Sequence, residues 1–321
     1  MGKGVNIDGM LVTWGDRLFY PGNRVVKGSP PPKLTGDALR RHAAVIRRRI
    51  EATVVRRAPQ VMVKVTGGGR GMRAIAAHFR YVSRNGRLDI EDDRGETFNG
   101  AHAVRALADD WRFSGGLIPE EAADGGQREA FNIMLSMPRG TDPLAVQRAA
   151  REFARFELAG HKYVMVLHDH QANPHAHISV RAEARDGRRL NPRKADLHRW
   201  RETFAGKLRE LGVEAEASRQ AVRGSHRRPE VLWRIKARAE GRVDSQLQHV
   251  EGPAPAGSLS GRSALWPTWR LMALALASSG ERSDERLASA IERFVDARGQ
   301  VGLAVEKMQP AAQCSVEPPR R

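Results

Sequence analysis

The segment His168-Asp-His-Gln-Ala-Asn-Pro-His-Ala-His177 constrains this chain more than any other. It lies between two apolar runs, residues 162–168 and 176–183, each with the composition of a strand. Side chains alternate between the faces of a strand, so His175, His177 and Ser179 share one face while Ala176, Ile178 and Val180 share the other. Asn173-Pro174 supplies turn chemistry between the two runs. An antiparallel hairpin closed there sets His168 opposite His175, and directly opposed β-carbons stand about 5 Å apart. Three imidazoles then converge on one sheet face. Their nitrogens, with further positions open to water or a phosphate oxygen, suit a metal ion. His170 is a fourth candidate, displaced into the turn. A histidine-triad nucleotide hydrolase would need histidine at the next alternate position, which is Ser179.

The partner class follows from charge. The 321 residues carry 54 Lys+Arg against 37 Asp+Glu, a formal net charge of +17. Such a balance, mostly arginine, predicts an anionic polymer as partner, bound through its phosphates. A single cysteine, Cys314, excludes both a disulfide framework and a thiolate zinc finger. Residues 1–8 lack the apolar run of a signal peptide, and the most apolar late stretch, residues 271–277, is too short to span a bilayer. The expectation is a soluble, cytoplasmic chain with no membrane insertion.

Periodicity orders the rest. A helix is predicted over residues 36–54, studded with Arg40, Arg41, Arg47, Arg48 and Arg49, either a solvated basic face or a DNA contact. Residues 60–65 read as a strand stopped by Gly67-Gly68-Gly69, and residues 71–84 as a helix with the stripe Met72, Ile75, Phe79 and Val82. A short strand at 88–92 and a helix at 97–111 follow. Then come a strand at 130–137, a helix capped at Thr141-Asp142-Pro143 and running to 158, and a helix over 194–211 ended by Gly212. Beyond residue 224 the signals weaken: a basic helix at 234–243, a Pro/Gly/Ser linker at 251–261, two short helices at 267–277 and 284–298, and a disordered tail from Pro310.

A metal site in a basic protein suggests phosphate chemistry, with either water or a tyrosine as the attacking group. No acidic residue falls on the histidine face to act as a base, and Asp169 lies in the turn. The chain has three tyrosines. Tyr163 sits mid-strand with core parity, and Tyr20 lies in a loose N-terminal segment. Tyr81 is on the 71–84 helix, off its apolar stripe, among Arg80, Arg84 and Arg87.

The histidine segment resembles the third motif of conjugative and mobilisation relaxases, within the HUH (histidine–hydrophobe–histidine) endonuclease superfamily. Tyr81-Val-Ser-Arg-Asn-Gly-Arg-Leu88 is similar to their first motif, and Phe131-Asn-Ile-Met-Leu-Ser136-Met-Pro138 to their second, in the same order. Leu190-Asn-Pro-Arg-Lys-Ala and Ala217-Ser-Arg219 are similar to the segment that follows. The likeness spans roughly residues 61–224 and is nearest to VirD-like plasmid relaxases. It departs in having His170 where the family often has an acidic residue, a single motif tyrosine, and 60 residues ahead of the nucleophile motif.

The resemblance implies an α+β fold: an antiparallel sheet with helices mainly on one face and a mainly helical C-terminal region. It implies three parts: a basic N-terminal extension (1–60), a relaxase domain (61–224) and a basic, partly helical or disordered C-terminal region (225–321). It implies that Tyr81 attacks one strand of a plasmid transfer origin, single-stranded or locally melted, leaving a 5′-phosphotyrosyl protein. A divalent metal, Mg²⁺ or Mn²⁺ with Zn²⁺ as the alternative, would sit on His168, His175 and His177. Ser136, Arg84, Arg188, Arg189 and Arg193 would contact the DNA. Accessory mobilisation proteins and a type IV secretion coupling protein would be partners. The alternatives are a non-catalytic DNA-binding mobilisation accessory protein and a rolling-circle replication initiator, which shares the chemistry.

Overall fold

The alternating apolar pattern of the middle third builds a sheet whose two faces have different work. A computed structural model of the chain describes residues 6–20, 34–114, 116–121, 126–218, 220–223 and 265–307. It divides into two units, Ala58–Ser218 and Met1–Arg57 with Arg219–Arg321. The sequence-predicted helix at 234–243, the linker at 251–261, Cys314 and the tail from Pro310 lie outside the described residues.

In the first unit, six strands form one antiparallel sheet: β1 (Met62–Gly67), β2 (Ile90–Asp92), β3 (Thr97–Phe98), β4 (Ala130–Ser136), β5 (His161–His168) and β6 (His175–Ala184). Their spatial order is β1-β4-β6-β5-β2-β3. On one face, Phe131, Ile133, Leu135, Met165, Ala176, Ile178 and Val180 are buried with Phe153, Trp200, Phe204 and Leu208 of α5 (Pro143–Glu157) and α6 (Lys194–Glu210). Each large side chain fully buried there contributes about 1.5–3 kcal/mol. That burial fixes the register of β6, since a slip by one residue would turn its apolar set outward. On part of the other face, Val164 and Val166 meet Met72, Ile75, Phe79, Val104, Leu107 and Trp111 of α3 (Met72–Val82) and α4 (Ala101–Phe113).

The boundaries differ from expectation for local reasons. The helix predicted from residue 97 starts at Ala101, because Thr97 and Phe98 pair with β2 and Gly100 has φ +88°. Gln60, expected in β1, instead bridges to Glu216. The glycine run is a close approach: a Cβ on Gly68 would lie 2.2 Å from the Ala130 carbonyl oxygen, so the chain leaving β1 can pass this close to β4 only because Gly68 has no side chain. Among the described residues no helix is long and apolar enough to cross a membrane.

The second unit is helical. The sequence reading missed α1 (Ile7–Phe19), whose N-terminus is capped by Asn6, the side chain accepting from Gly9 N at 2.9 Å. Next come α2 (Gly36–Ile50), a π-helical turn (Glu51–Val55), a 3₁₀ turn (Gln220–Arg223), α7 (Leu265–Ala277) and α8 (Arg282–Lys307). Leu11, Leu18, Phe19, Ile46 and Ile50 share one core with Trp269, Met272, Leu276 and Ile291. Residues of α1 and α2 therefore share a core with α7 and α8. Two of the α2 arginines turn inward. Arg47 holds Asp284 through two nitrogens at 2.9 Å and Asp8 at 2.8 Å, and Arg49 lies buried over the rings of Phe19 and Tyr20. Arg40, Arg41 and Arg48 stay exposed.

Candidate active site

The hairpin places its histidines as the alternation demands. His168 is the register partner of His175, and Val166 of His177. On the other side of β6, Ser136 pairs with His175 and Met134 with His177. The three rings stand 4.7–5.0 Å apart, centroid to centroid, and one nitrogen of each lies within 4.8 Å of the others. His168 and His175 are buried and His177 is half-buried. His170 is exposed in the turn, its ring 5.2 Å from that of His168.

Two of the rings are held from outside. His168 Nε2 lies 2.7 Å from the Val82 carbonyl oxygen, and His175 Nδ1 lies 2.9 Å from that of Asn173. A carbonyl only accepts, so each of these ring nitrogens donates. Nδ1 of His168 and Nε2 of His175 then keep free lone pairs. Metal-binding histidines are commonly oriented in this way. Burial pushes His177 down to about 3, helped by the neighbouring His168, His175 and His78. Burial likewise holds His168 below the usual histidine range, against the opposing bond to Val82. These two imidazoles are neutral at pH 7, as ligation requires. A divalent metal fits this donor set: three convergent nitrogens, two of them anchored, with no cationic ring among His168 and His177 to repel it.

The bond from His168 to Val82 ties the histidines to the tyrosine. Val82 ends α3, and Tyr81 is its neighbour. The buried stripe of α3, Met72, Ile75, Phe79 and Val82, leaves Tyr81 66% exposed, so its phenol is accessible to a large substrate. After the helix the chain turns sharply. Gly86 N donates to the buried Ser83 Oγ at 3.0 Å, Leu88 N to Ser83 O at 2.9 Å, and Gly100 N to Gly86 O at 2.9 Å. Arg84 and Asn85 adopt φ of +52° and +59° in this turn. Arg80, Arg84 and Arg87 are exposed around Tyr81 and present positive charge there. Arg84 also acts on the histidines, its charge helping to lower His168 and His170.

His78 escaped the sequence reading. It sits one helical turn before Tyr81, its ring 6.3 Å from the Tyr81 ring and 6.4 Å from the His177 ring. Burial lowers it to about 4. The signal was present as the i, i+3 spacing from the tyrosine, which puts both on one side of α3.

The remaining candidates fall in different places. Ser136 is buried at the end of β4, its Oγ 3.4 Å from the carbonyls of Met137 and Pro174, beside His175 in the sheet. Tyr163 is 5% exposed in the core with its phenol pushed up by burial. Tyr20 closes α1 in the other unit. Arg188 and Arg189 are not brought to the histidines. Arg189 bridges to Glu183 near the far end of β6, about 25–30 Å from His175 at the usual rise per residue. Arg188 pairs with Asp186, Arg189 with Glu129 and Glu183, and Arg193 caps α6, its N–H donating to Asp196.

Comparison with known proteins matches this arrangement to one family. Residues 84–213 match the model of the relaxase family described as MobA/VirD2-like, nuclease domain. That segment of the chain is similar to a MobA/VirD2-like relaxase nuclease domain. The matched segment holds the three histidines and Ser136 and begins just after Tyr81. Among curated proteins, the chain is 25% identical over 190 residues to the T-DNA border endonuclease VirD2 of Rhizobium radiobacter and 26% identical over 190 residues to that of Agrobacterium fabrum (strain C58). Each match takes in 53% of this chain but only 44% and 42% of the relatives' own length. The matched segment lies within the α+β unit and includes its histidine hairpin.

Proposed function

We propose that this protein nicks one strand of DNA by tyrosine transesterification at a transfer origin. The observation that carries the reading is the 2.7 Å bond from His168 to the Val82 carbonyl, which locks the histidine cluster to the residue next to Tyr81. A nucleophile and a phosphate-activating centre held in fixed relation are what covalent phosphoryl transfer needs.

His168, His175 and His177 would hold the divalent metal. Bound there, it supplies Lewis-acid stabilisation of charge on the scissile phosphate. Tyr81 Oη attacks phosphorus. The Oη–P bond forms as the P–O3′ bond breaks, and the departing 3′ oxygen takes up a proton while the tyrosine loses one. The product is a 5′-phosphotyrosyl protein and a free 3′-hydroxyl. One phosphodiester replaces another, so the step needs no ATP and can be reversed to reseal the strand. The exposed Arg80, Arg84 and Arg87 would draw the phosphate backbone to Tyr81.

Ser136, in line with His175 across the sheet, would meet the strand near the nick. Arg188 and Arg189, past the far end of β6, would meet a more remote part of the strand, and Arg193 would add a phosphate contact of its own. Imidazole donors favour Mn²⁺ or Zn²⁺ over Mg²⁺ at equal concentration. Accessory mobilisation proteins and a type IV secretion coupling protein are the partners this activity calls for.

The test is nicking of supercoiled plasmid carrying the cognate origin, with Mg²⁺ or Mn²⁺, stopped by detergent and protease. Wild type should give open circles, and Tyr81→Phe and His175→Ala should not. Tight, salt-sensitive binding without nicking by wild type would leave an accessory DNA-binding protein instead.

A further inference from the structure

Two of the three clustered histidines have an outer hydrogen-bond partner, Val82 O for His168 and Asn173 O for His175. The third does not. His177 Nδ1 is buried with no partner. The adjacent ring, His78, has the same defect: its Nε2 is buried and unpartnered. The two rings lie edge to face, 6.4 Å apart at 74°. A buried polar atom left unsatisfied is costly, and two such atoms on neighbouring rings call for one shared solution.

We propose that His78 is the outer partner of His177, a positioning residue for the metal centre. The link runs through a single water. His177 Nδ1–H donates to it, and it donates to the lone pair of His78 Nε2, whose own proton is on Nδ1. This tautomer leaves His177 Nε2 free to bind the metal, and all three histidines then have an outer anchor. Polar groups separated beyond direct hydrogen-bond reach are routinely joined in this way. His78 is not itself placed as a fourth ligand, because the convergent nitrogens are those of His168, His175 and His177. Its position on α3, one turn before Tyr81, means that the nucleophile's helix is tied to the metal centre twice, at Val82 and at His78. The inference rests on the metal reading given under Proposed function.

Mn²⁺ affinity of the full chain, measured by isothermal titration, tests both readings separately. Wild type should bind one Mn²⁺ and His175→Ala should lose it. His78→Leu, which keeps volume but removes the acceptor, should weaken binding by about 10–100-fold. His78→Gln, whose amide oxygen can accept, should stay within a few-fold of wild type. Unchanged binding in His78→Leu would overturn the proposal while leaving the metal reading intact. Equal losses in the Leu and Gln variants would also overturn it, since ring packing would then be the cause. No binding by wild type would overturn the metal reading and this inference with it. A second measurement needs no variant: the ring-nitrogen NMR spectrum of wild type should show His177 protonated on Nδ1. Protonation on Nε2 would refute the link.

Discussion

Replacing Gly86 by alanine tests how rigidly the turn after Tyr81 must be held. Gly86 has φ +83°, and a Cβ there would lie 2.3 Å from the Gly100 carbonyl carbon, 2.6 Å from Ala101 N and 2.7 Å from Gly100 O. All three are backbone atoms at the start of α4, so no side chain can swing away. Gly95, in the β2–β3 turn, provides the control. Its φ is +86°, but nothing lies within 4 Å of its virtual Cβ. Both substitutions carry the left-handed backbone penalty of an L-residue, about 1–2 kcal/mol. Only Gly86→Ala adds the clash, about 1–3 kcal/mol by analogy with overpacked cores. For a domain of this size each kcal/mol is about 2–4 °C in Tm. Calorimetry of the full chain should therefore place Gly86→Ala about 2–12 °C below Gly95→Ala. The clash also pushes on the segment that carries Val82 O and Tyr81, and misplacement by about 1 Å can cost two orders of magnitude in rate. Nicking should thus fall at least about tenfold in Gly86→Ala and survive in Gly95→Ala. Equal melting temperatures, or full activity in Gly86→Ala, would refute the claim that this turn fixes the nucleophile.

Three further outcomes follow from the same contacts. Asp142 accepts from Leu144 N at 3.0 Å and Ala145 N at 3.2 Å to cap α5, so Asp142→Ala should lose about 1 kcal/mol in urea unfolding without changing Mn²⁺ affinity. Mn²⁺ at about 100 times its Kd should stabilise wild type by about 2.7 kcal/mol and His175→Ala not at all; a thermal shift in both would place the ion elsewhere. The metal-free protein should lose stability as pH falls. His78 and His177 are depressed to about 4 and 3 while unfolded histidine titrates near 6.5, so the unfolded chain binds the extra protons. The stability is fully present above pH 6.5 and drains away between there and about pH 4 and 3. Urea midpoints in chelator that do not drop from pH 7.5 to pH 5, or a slope unaltered in His78→Leu, would contradict this.

The histidine hairpin was legible because strand periodicity is two and the turn chemistry is local: once residues 162–168 and 176–183 pair, His168 must face His175. Tyr81 was legible as a residue off an apolar helical stripe. The link between them was not, since the bond from His168 to Val82 joins residues 86 positions apart through a backbone carbonyl that has no sequence signature. His78 was overlooked because a single histidine on a helix gains meaning only when a second element packs beside it. Arg188 and Arg189 read as phosphate contacts in sequence, and the length of β6 sets them well away from the three histidines, which spacing along the chain did not reveal. The arginines of α2 mislead in another way, since Arg47 and Arg49 are drawn inward by Asp8, Asp284 and two aromatic rings that lie far off along the chain.

The most direct test is to map the residue that becomes joined to DNA. An oligonucleotide spanning the nick site would be reacted with the protein in Mn²⁺, the adduct digested with trypsin and nuclease, and the peptide sequenced by mass spectrometry. The account predicts a nucleotidyl phosphotyrosine at Tyr81. An adduct at Tyr20 or Tyr163, or cleavage that leaves no covalent adduct, would contradict it.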